Sequence, residues 1–218
     1  LKITHIAALI FSLYFLSFLR NGNAHSWVER AYFVSNNTIV GQPGFPRGNV
    51  LRTSPSFTDK AMTYLLPPNG HTTNTFLPSD PFCKETQRSA NQTSGSPVLS
   101  AHVNDTILLL YQENGHVTKL DEDPRHITSG VIRVYGTSNS SPTDTLQGIN
   151  EWGFDKFIQS KGDYGLMLWA SFDDGDCYQD NNTPKALERK TLVQRAHLEV
   201  EGNDLWCGWR VRLPAISP

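Results

Sequence analysis

His25 carries more chemistry than any other residue of this sequence, provided that the chain is cut in front of it. A polypeptide that begins with histidine offers two nitrogen donors on one residue, the free α-amine and the imidazole ring. A second histidine from elsewhere completes a flat three-nitrogen set, which suits Cu(II) in both ligand type and geometry. The amine, with an ordinary pKa of about 7.7 to 8, must shed its proton to bind, so affinity is expected to rise with pH until it is deprotonated. Five candidates stand for the second ligand: His71, His102, His116, His126 and His197. For any one of them the plain alternative is an exposed or locally hydrogen-bonded side chain. Histidine fills only 7 of the 218 positions, so a terminal one is uncommon by chance.

The cut itself is read from residues 1–24. Lys2, an apolar run of 14 residues from Ile6 to Leu19, and the polar stretch from Arg20 to Ala24 have the make-up of a secretory signal peptide. The run falls short of the roughly 20 residues that span a bilayer, and Gly22 and Ala24 supply the small side chains that signal peptidase needs before its cut. Residues 25–218 are then expected as one mature domain, extracellular, mildly acidic and with no membrane attachment once the signal is gone. Sequons at Asn36, Asn91, Asn104, Asn139 and Asn181 agree with a secretory route. In that oxidising compartment Cys83, Cys177 and Cys207 are expected to form one disulfide and leave one thiol, with the pairing open. The lack of a Cys-x-x-Cys spacing speaks against zinc.

Composition narrows the class further. With 38% hydrophobic and 11% aromatic residues, the chain is long and apolar enough to bury a core as a single domain, and far from the composition of a disordered one. A net charge of −2 gives no electrostatic footprint for nucleic acid.

The elements that must position the chemistry read as strands. Short apolar runs separated by Gly, Pro, Asn and Ser place strands at Trp27–Val34, Thr106–Gln112, Gly130–Tyr135, Gly165–Ser171 and Trp209–Leu213. Helical character is confined to Asp144–Trp152 and Pro184–Ala196. Asn36–Pro97 reads as one long decorated loop region. The fold class is therefore mainly β, an antiparallel sandwich of immunoglobulin-like or fibronectin-like type.

Several stretches carry a resemblance. They are His25-Ser26-Trp27-Val28-Glu29, Gly44-Phe45-Pro46-Arg47-Gly48, Ala61 to Pro68, Tyr111 to Thr118, Phe172-Asp173-Asp174-Gly175 with Cys177-Tyr178-Gln179, and Asp204-Leu205-Trp206-Cys207. Together they resemble a fungal secreted family known only as a domain of unknown function, and the terminal histidine is similar to that of the copper-dependent lytic polysaccharide monooxygenases, the histidine-brace proteins. The second resemblance implies a copper site of His25 and one internal histidine. His116 is the choice, because it follows the apolar run Ile107–Tyr111 and an Asn114-Gly115 turn, where a core strand emerges at the sandwich edge; His71 is the runner-up. The resemblance also implies an aromatic over the copper's axial direction, for which Tyr178 is the candidate, with Tyr111, Tyr135 and Phe172 as alternatives. Gln112, Glu113 and Gln179 are candidate outer donors, since polar partners around a metal tune its reactivity.

The function implied is oxidative cleavage of a polysaccharide surface, such as cellulose, chitin or hemicellulose, by a monomer fed by an external electron donor. Trp27, Tyr32, Trp206 and Trp209 offer stacking faces for sugars, although at least half of such large aromatics are expected in the core. A second reading keeps the copper for binding or uptake without catalysis, with Asp173, Asp174 or Asp176 as an added ligand. A third is a metal-free carbohydrate-binding domain or a hydrolase, for which Glu113 with Asp173 is a possible carboxylate pair. Neither a Gly-x-Ser-x-Gly elbow nor a His-Glu-x-x-His helix occurs in the chain, which removes the local signatures of serine esterases and zincins.

Overall fold

Branched and aromatic side chains pack well on a pleated, half-buried surface, and the apolar runs of this chain accordingly form strands. The computed structural model describes residues 26–65, 76–120, 127–160, 163–196 and 202–215. In chain order its elements are β1 (Val28–Ser35), β2 (Thr38–Gly44), α1 (Asp59–Met62), β3 (Thr106–Tyr111), β4 (Val131–Thr137), α2 (Leu146–Asn150), α3 (Lys156–Gln159), β5 (Tyr164–Ser171), α4 (Pro184–Ala196) and β6 (Cys207–Arg212). Two antiparallel sheets result, one of order β2-β1-β3-β6 and one pairing β4 with β5. The mainly β, sandwich-like class expected from the sequence is the class observed.

Five of these strands lie within two residues of their expected positions. β2 does not: it falls inside the stretch read as loop. Asn36 and Asn37 take left-handed conformations, with φ of 49° and 63°, and make the two-residue turn that returns the chain against β1. The strand escapes a sequence reading because Gly41 and Pro43 interrupt it, and only an edge strand tolerates a proline. α1 and α2 each begin at a threonine whose hydroxyl accepts from the first turn, Thr58 from the Ala61 N–H and Thr145 from the Gly148 N–H, which satisfies an otherwise orphaned donor.

Strand register fixes two ends of the larger sheet. At one end Val28 faces Tyr111 and Tyr111 faces Cys207; at the other Val34 faces Thr106 and Thr106 faces Arg212. The core gathers at the first end, where Tyr111, Val117, Phe172, Cys177 and Cys207 cluster with Ile132 and Trp209 packed against them. Cys177 and Cys207 form the disulfide, 30 residues apart. Closing a loop of that length contributes about 3 to 4 kcal/mol in the chain-entropy account. Cys83 keeps its thiol, and burial pushes that thiol's pKa up.

Across β2 the long connecting segment approaches as closely as two backbones allow. Gly44 stands opposite Ala31, the Phe45 N–H donates to the Pro97 carbonyl at 2.8 Å, and a Cβ on Gly44 would land on the backbone nitrogen and Cα of Leu99. A backbone cannot move aside as a flexible side chain would. Gly44→Ala is therefore expected to destabilise the fold by about 3 kcal/mol, read as a lowered urea midpoint at unchanged slope.

Candidate functional site

β3 ends at Tyr111 and delivers the chain into a tight loop that Glu113 organises from within. Glu113 is 2% exposed. Its Oε1 accepts from the Val117 N–H and, at 2.8 Å, from the Thr118 N–H; its Oε2 accepts from the Gly115 N–H and the Thr118 hydroxyl, both at 3.1 Å. A buried carboxylate is tolerable only when its lone pairs are so filled. Asn114 and Gly115 supply the left-handed residues the turn requires, with φ of 47° and 84°. His116 follows, where its ring stacks on Phe172 with centroids 4.3 Å apart and planes 22° from parallel.

The Thr118 hydroxyl carries the network onward. It accepts from Asn181 Nδ2 at 3.1 Å and from the Gln179 N–H at 3.4 Å, which brings the Cys177-Tyr178-Gln179 segment against the Glu113 loop. Tyr178 also pairs as an isolated bridge with Leu205. A small cleft, partly open to solvent, lies between these segments, lined by Gln112, Glu113, Asn114, Tyr178, Gln179, Asp204 and Trp206. The candidate residues Glu113, Tyr178 and Gln179, from two distant parts of the sequence, thus share one cleft, with His116 on the loop that forms its wall. Tyr178 is 2% exposed, and burial, with help from Asp180 and Asp204 against the opposing charge of Lys190, pushes its phenol above the ordinary range. It stays protonated at working pH.

The N-terminal side of the site is built on Ser26, Trp27 and Glu29. Ser26 Oγ donates to the Gln112 carbonyl at 2.9 Å. Trp27 Nε1 donates to Glu29 Oε2 at 2.7 Å, and Arg52 donates to both Glu29 oxygens, Nε to Oε1 at 2.7 Å and Nη2 to Oε2 at 2.9 Å. The same guanidinium lies 5.3 Å from the Trp206 ring centroid, while Arg30 sits 4.8 Å from it. Trp206 is thus flanked by two cations, each contact contributing on the order of 1 kcal/mol. Arg52 is a site residue that no local motif announces, since it meets Glu29 across 23 residues of chain.

Other candidates fall differently. His25, His71, His126 and His197 lie outside the described residues; His102 is highly exposed and sits 3.5 Å from Asp105. Trp27 and Trp206 are 9% and 8% exposed, so neither presents a face to a sugar. Trp209 packs on the core and donates Nε1 to the Ser171 carbonyl at 2.9 Å; Tyr32 is half-buried. Tyr111 and Phe172 are core residues, Tyr111 donating to the Phe172 carbonyl at 2.6 Å, and Tyr135 packs against Phe82 and Trp152 instead.

The acidic cluster holds loops together. Asp174 accepts from the Asp176, Cys177 and Gly208 N–H groups, and Asp173 is gripped by Arg189 through Nη1 to Oδ1 at 2.8 Å and Nη2 to Oδ2 at 2.9 Å. Among the described residues Asp174, Cys177 and Cys207 bring ligand-type atoms within 4.8 Å of one another, but both sulfurs are spent in the disulfide.

Comparison with known proteins adds one finding. The model of a family described as Domain of unknown function (DUF7492) matches residues 22–218, and the match carries no activity with it. Neither the curated proteins nor the solved structures contain a match to the chain.

Two outcomes follow from the site's electrostatics. Glu113→Gln trades an all-acceptor group for one that points its own N–H bonds at backbone donors, and is expected to cost about 2 to 4 kcal/mol in thermal unfolding. Burial alone would raise the Asp173 pKa, but hydrogen bonds from Arg189 and Gly175 and the charges of Arg189 and Lys185 outweigh it and hold the carboxyl below its ordinary range. A depressed folded pKa means that its stabilisation is complete above the unfolded value of about 3.9 and is lost as pH falls through the folded one. Asp173→Asn is expected to flatten the acid limb of a stability-versus-pH curve below about pH 4.

Proposed function

We propose that this chain, which belongs to the DUF7492 family, is a secreted mononuclear copper protein that cleaves polysaccharide oxidatively, in the manner of the lytic polysaccharide monooxygenases, to whose terminal histidine His25 is similar. His25, through its α-amine and ring, and His116 hold the ion. The observation that carries this reading is the bond from Ser26 Oγ to the Gln112 carbonyl at 2.9 Å, because it fastens the residue next to His25 onto the same short segment that bears His116.

Of the two proposed ligands, His116 lies among the described residues. His116 is an imidazole whose orientation is set by stacking on Phe172 and whose loop is locked by Glu113, so one ligand is pre-oriented, which lowers the ordering cost of binding. Bound copper would supply one-electron redox chemistry toward dioxygen or peroxide, with electrons from an external donor. The chain's own contributions are positional. Tyr178 lines the cleft as a neutral phenol and would be the aromatic that keeps water from one side of the ion. Gln112, Asn114 and Gln179 line the same cleft, and their amides would orient a small oxygen species by hydrogen bonds. Glu113, with both oxygens turned to its own loop, acts as a positioning residue.

Copper binding without oxidation is the second reading, and the burial of Trp27 and Trp206 favours it, since it withdraws two rings from sugar stacking. Copper titration with EPR, on secreted protein whose mass shows that it begins at His25, tests both. One-to-one binding with a nitrogen-rich Cu(II) spectrum is expected. It should be lost when one residue precedes His25, and weakened in His116→Ala by more than the roughly 10- to 100-fold typical of removing an outer-shell partner. Equal binding by all three forms would sink the copper site and leave a metal-free carbohydrate-binding domain. Oxidised sugars released in the presence of reductant separate the enzyme from the carrier.

A further inference from the structure

Five sequons do not present five equivalent acceptors. Asn36, Asn91, Asn104 and Asn139 are exposed; Asn181 is half-buried. Asn36 is at the tip of the β1–β2 turn and Asn104 in the turn that leads into β3, both at left-handed φ of 49° and 66°. Asn139 follows the end of β4.

Asn181 is held through every polar atom of its side chain. Nδ2 donates both its protons, one to Thr118 Oγ1 at 3.1 Å and one to the Gln179 carbonyl at 2.8 Å, while Oδ1 accepts from the Thr183 N–H at 2.9 Å. The hydroxyl of its sequon partner Thr183 is engaged too, accepting from the Ala186 N–H at the start of α4. A primary amide has two N–H donors and a glycosylated one has one. A sugar on Asn181 would therefore break at least one of these bonds and force a bulky polar group into the junction between the Glu113 loop and α4.

We infer that Asn36, Asn91, Asn104 and Asn139 are N-glycan acceptors and that Asn181 stays unmodified, so that the junction between the Glu113 loop and α4 is left bare. In the transfer, the Asn Nδ2 forms a bond to the sugar C1 of a lipid-linked oligosaccharide pyrophosphate. The C1–O bond to phosphate breaks, the lipid pyrophosphate leaves with the electron pair, and one amide proton is lost. Register places three of these sites, Asn36, Asn104 and Asn139, away from the cleft. Asn36 and Asn104 flank the Val34–Thr106 end of the large sheet and the cleft flanks the Val28–Tyr111 end, six residues or about 20 Å along β1. Asn139 likewise follows Thr137, at the opposite end of the β4–β5 pair from Val131 and Ser171.

The inference rests on the secretory part of the proposed function and not on copper. Its test is site-by-site occupancy on the full chain secreted from a eukaryotic host, by enzymatic deglycosylation in heavy-oxygen water and peptide mass spectrometry. Each site that carried a glycan becomes a heavy-labelled aspartate. Label at Asn36, Asn91, Asn104 and Asn139, with Asn181 recovered as asparagine, is the expected result. Label at Asn181 in folded, secreted protein overturns the inference, as does a secreted protein with no label at the exposed four. A chain never secreted overturns the secretory reading along with it, whereas a failed copper titration leaves the glycan pattern standing.

Discussion

An ionised carboxylate removed from water must find a donor for nearly every lone pair or become a large liability. Glu113 meets that demand entirely from the five residues that follow it, and much else hangs on the result. The loop after β3 closes around it. That closure sets His116 against Phe172, presents the Thr118 hydroxyl to Asn181, and through Thr183 places the start of α4. A single side chain thereby links the end of a central strand to a helix some seventy residues later.

A second set of ties joins the same region from the other side. The Cys177–Cys207 disulfide connects the loop after β5 to the start of β6. Asp174 bonds the Gly208 N–H beside it, and Arg189 of α4 reaches both Asp173 and the Cys177 carbonyl. Covalent, ionic and backbone bonds thus converge within a few residues at one end of the sheets, where the core cluster also lies. The cleft is bordered by this reinforced ground, which holds the groups that line it in position.

Much of this was legible in the residues. Thr106–Tyr111 and Tyr164–Ser171 read as strands because their apolar runs are short, branched and bounded by turn formers, and the Asn114-Gly115 turn marked where β3 must end. Other parts had no local signature. Three cysteines allow three pairings, and only space chooses Cys177 with Cys207. Arg52 finds Glu29, and Arg189 finds Asp173, at separations that belong to no helical or strand period. Residue type misled at Trp27 and Trp206, since an indole stacked against a sugar and one buried under guanidinium groups look alike in sequence. β2 was hidden by Gly41 and Pro43, whose presence argues against a central strand but not against an edge.

That edge bears on how the protein behaves among its own copies. The edge strands of a four-stranded sheet each present a row of backbone groups on which another chain can extend the sheet. On β2 a proline removes one donor from the row and a left-handed glycine, at φ 78°, bends the ribbon out of register. On β6 the exposed Arg210 and Arg212 would set like charges against each other if two such edges met. The irregularity that conceals β2 from a reader of the sequence also makes it a poor template for the strand of a neighbouring molecule.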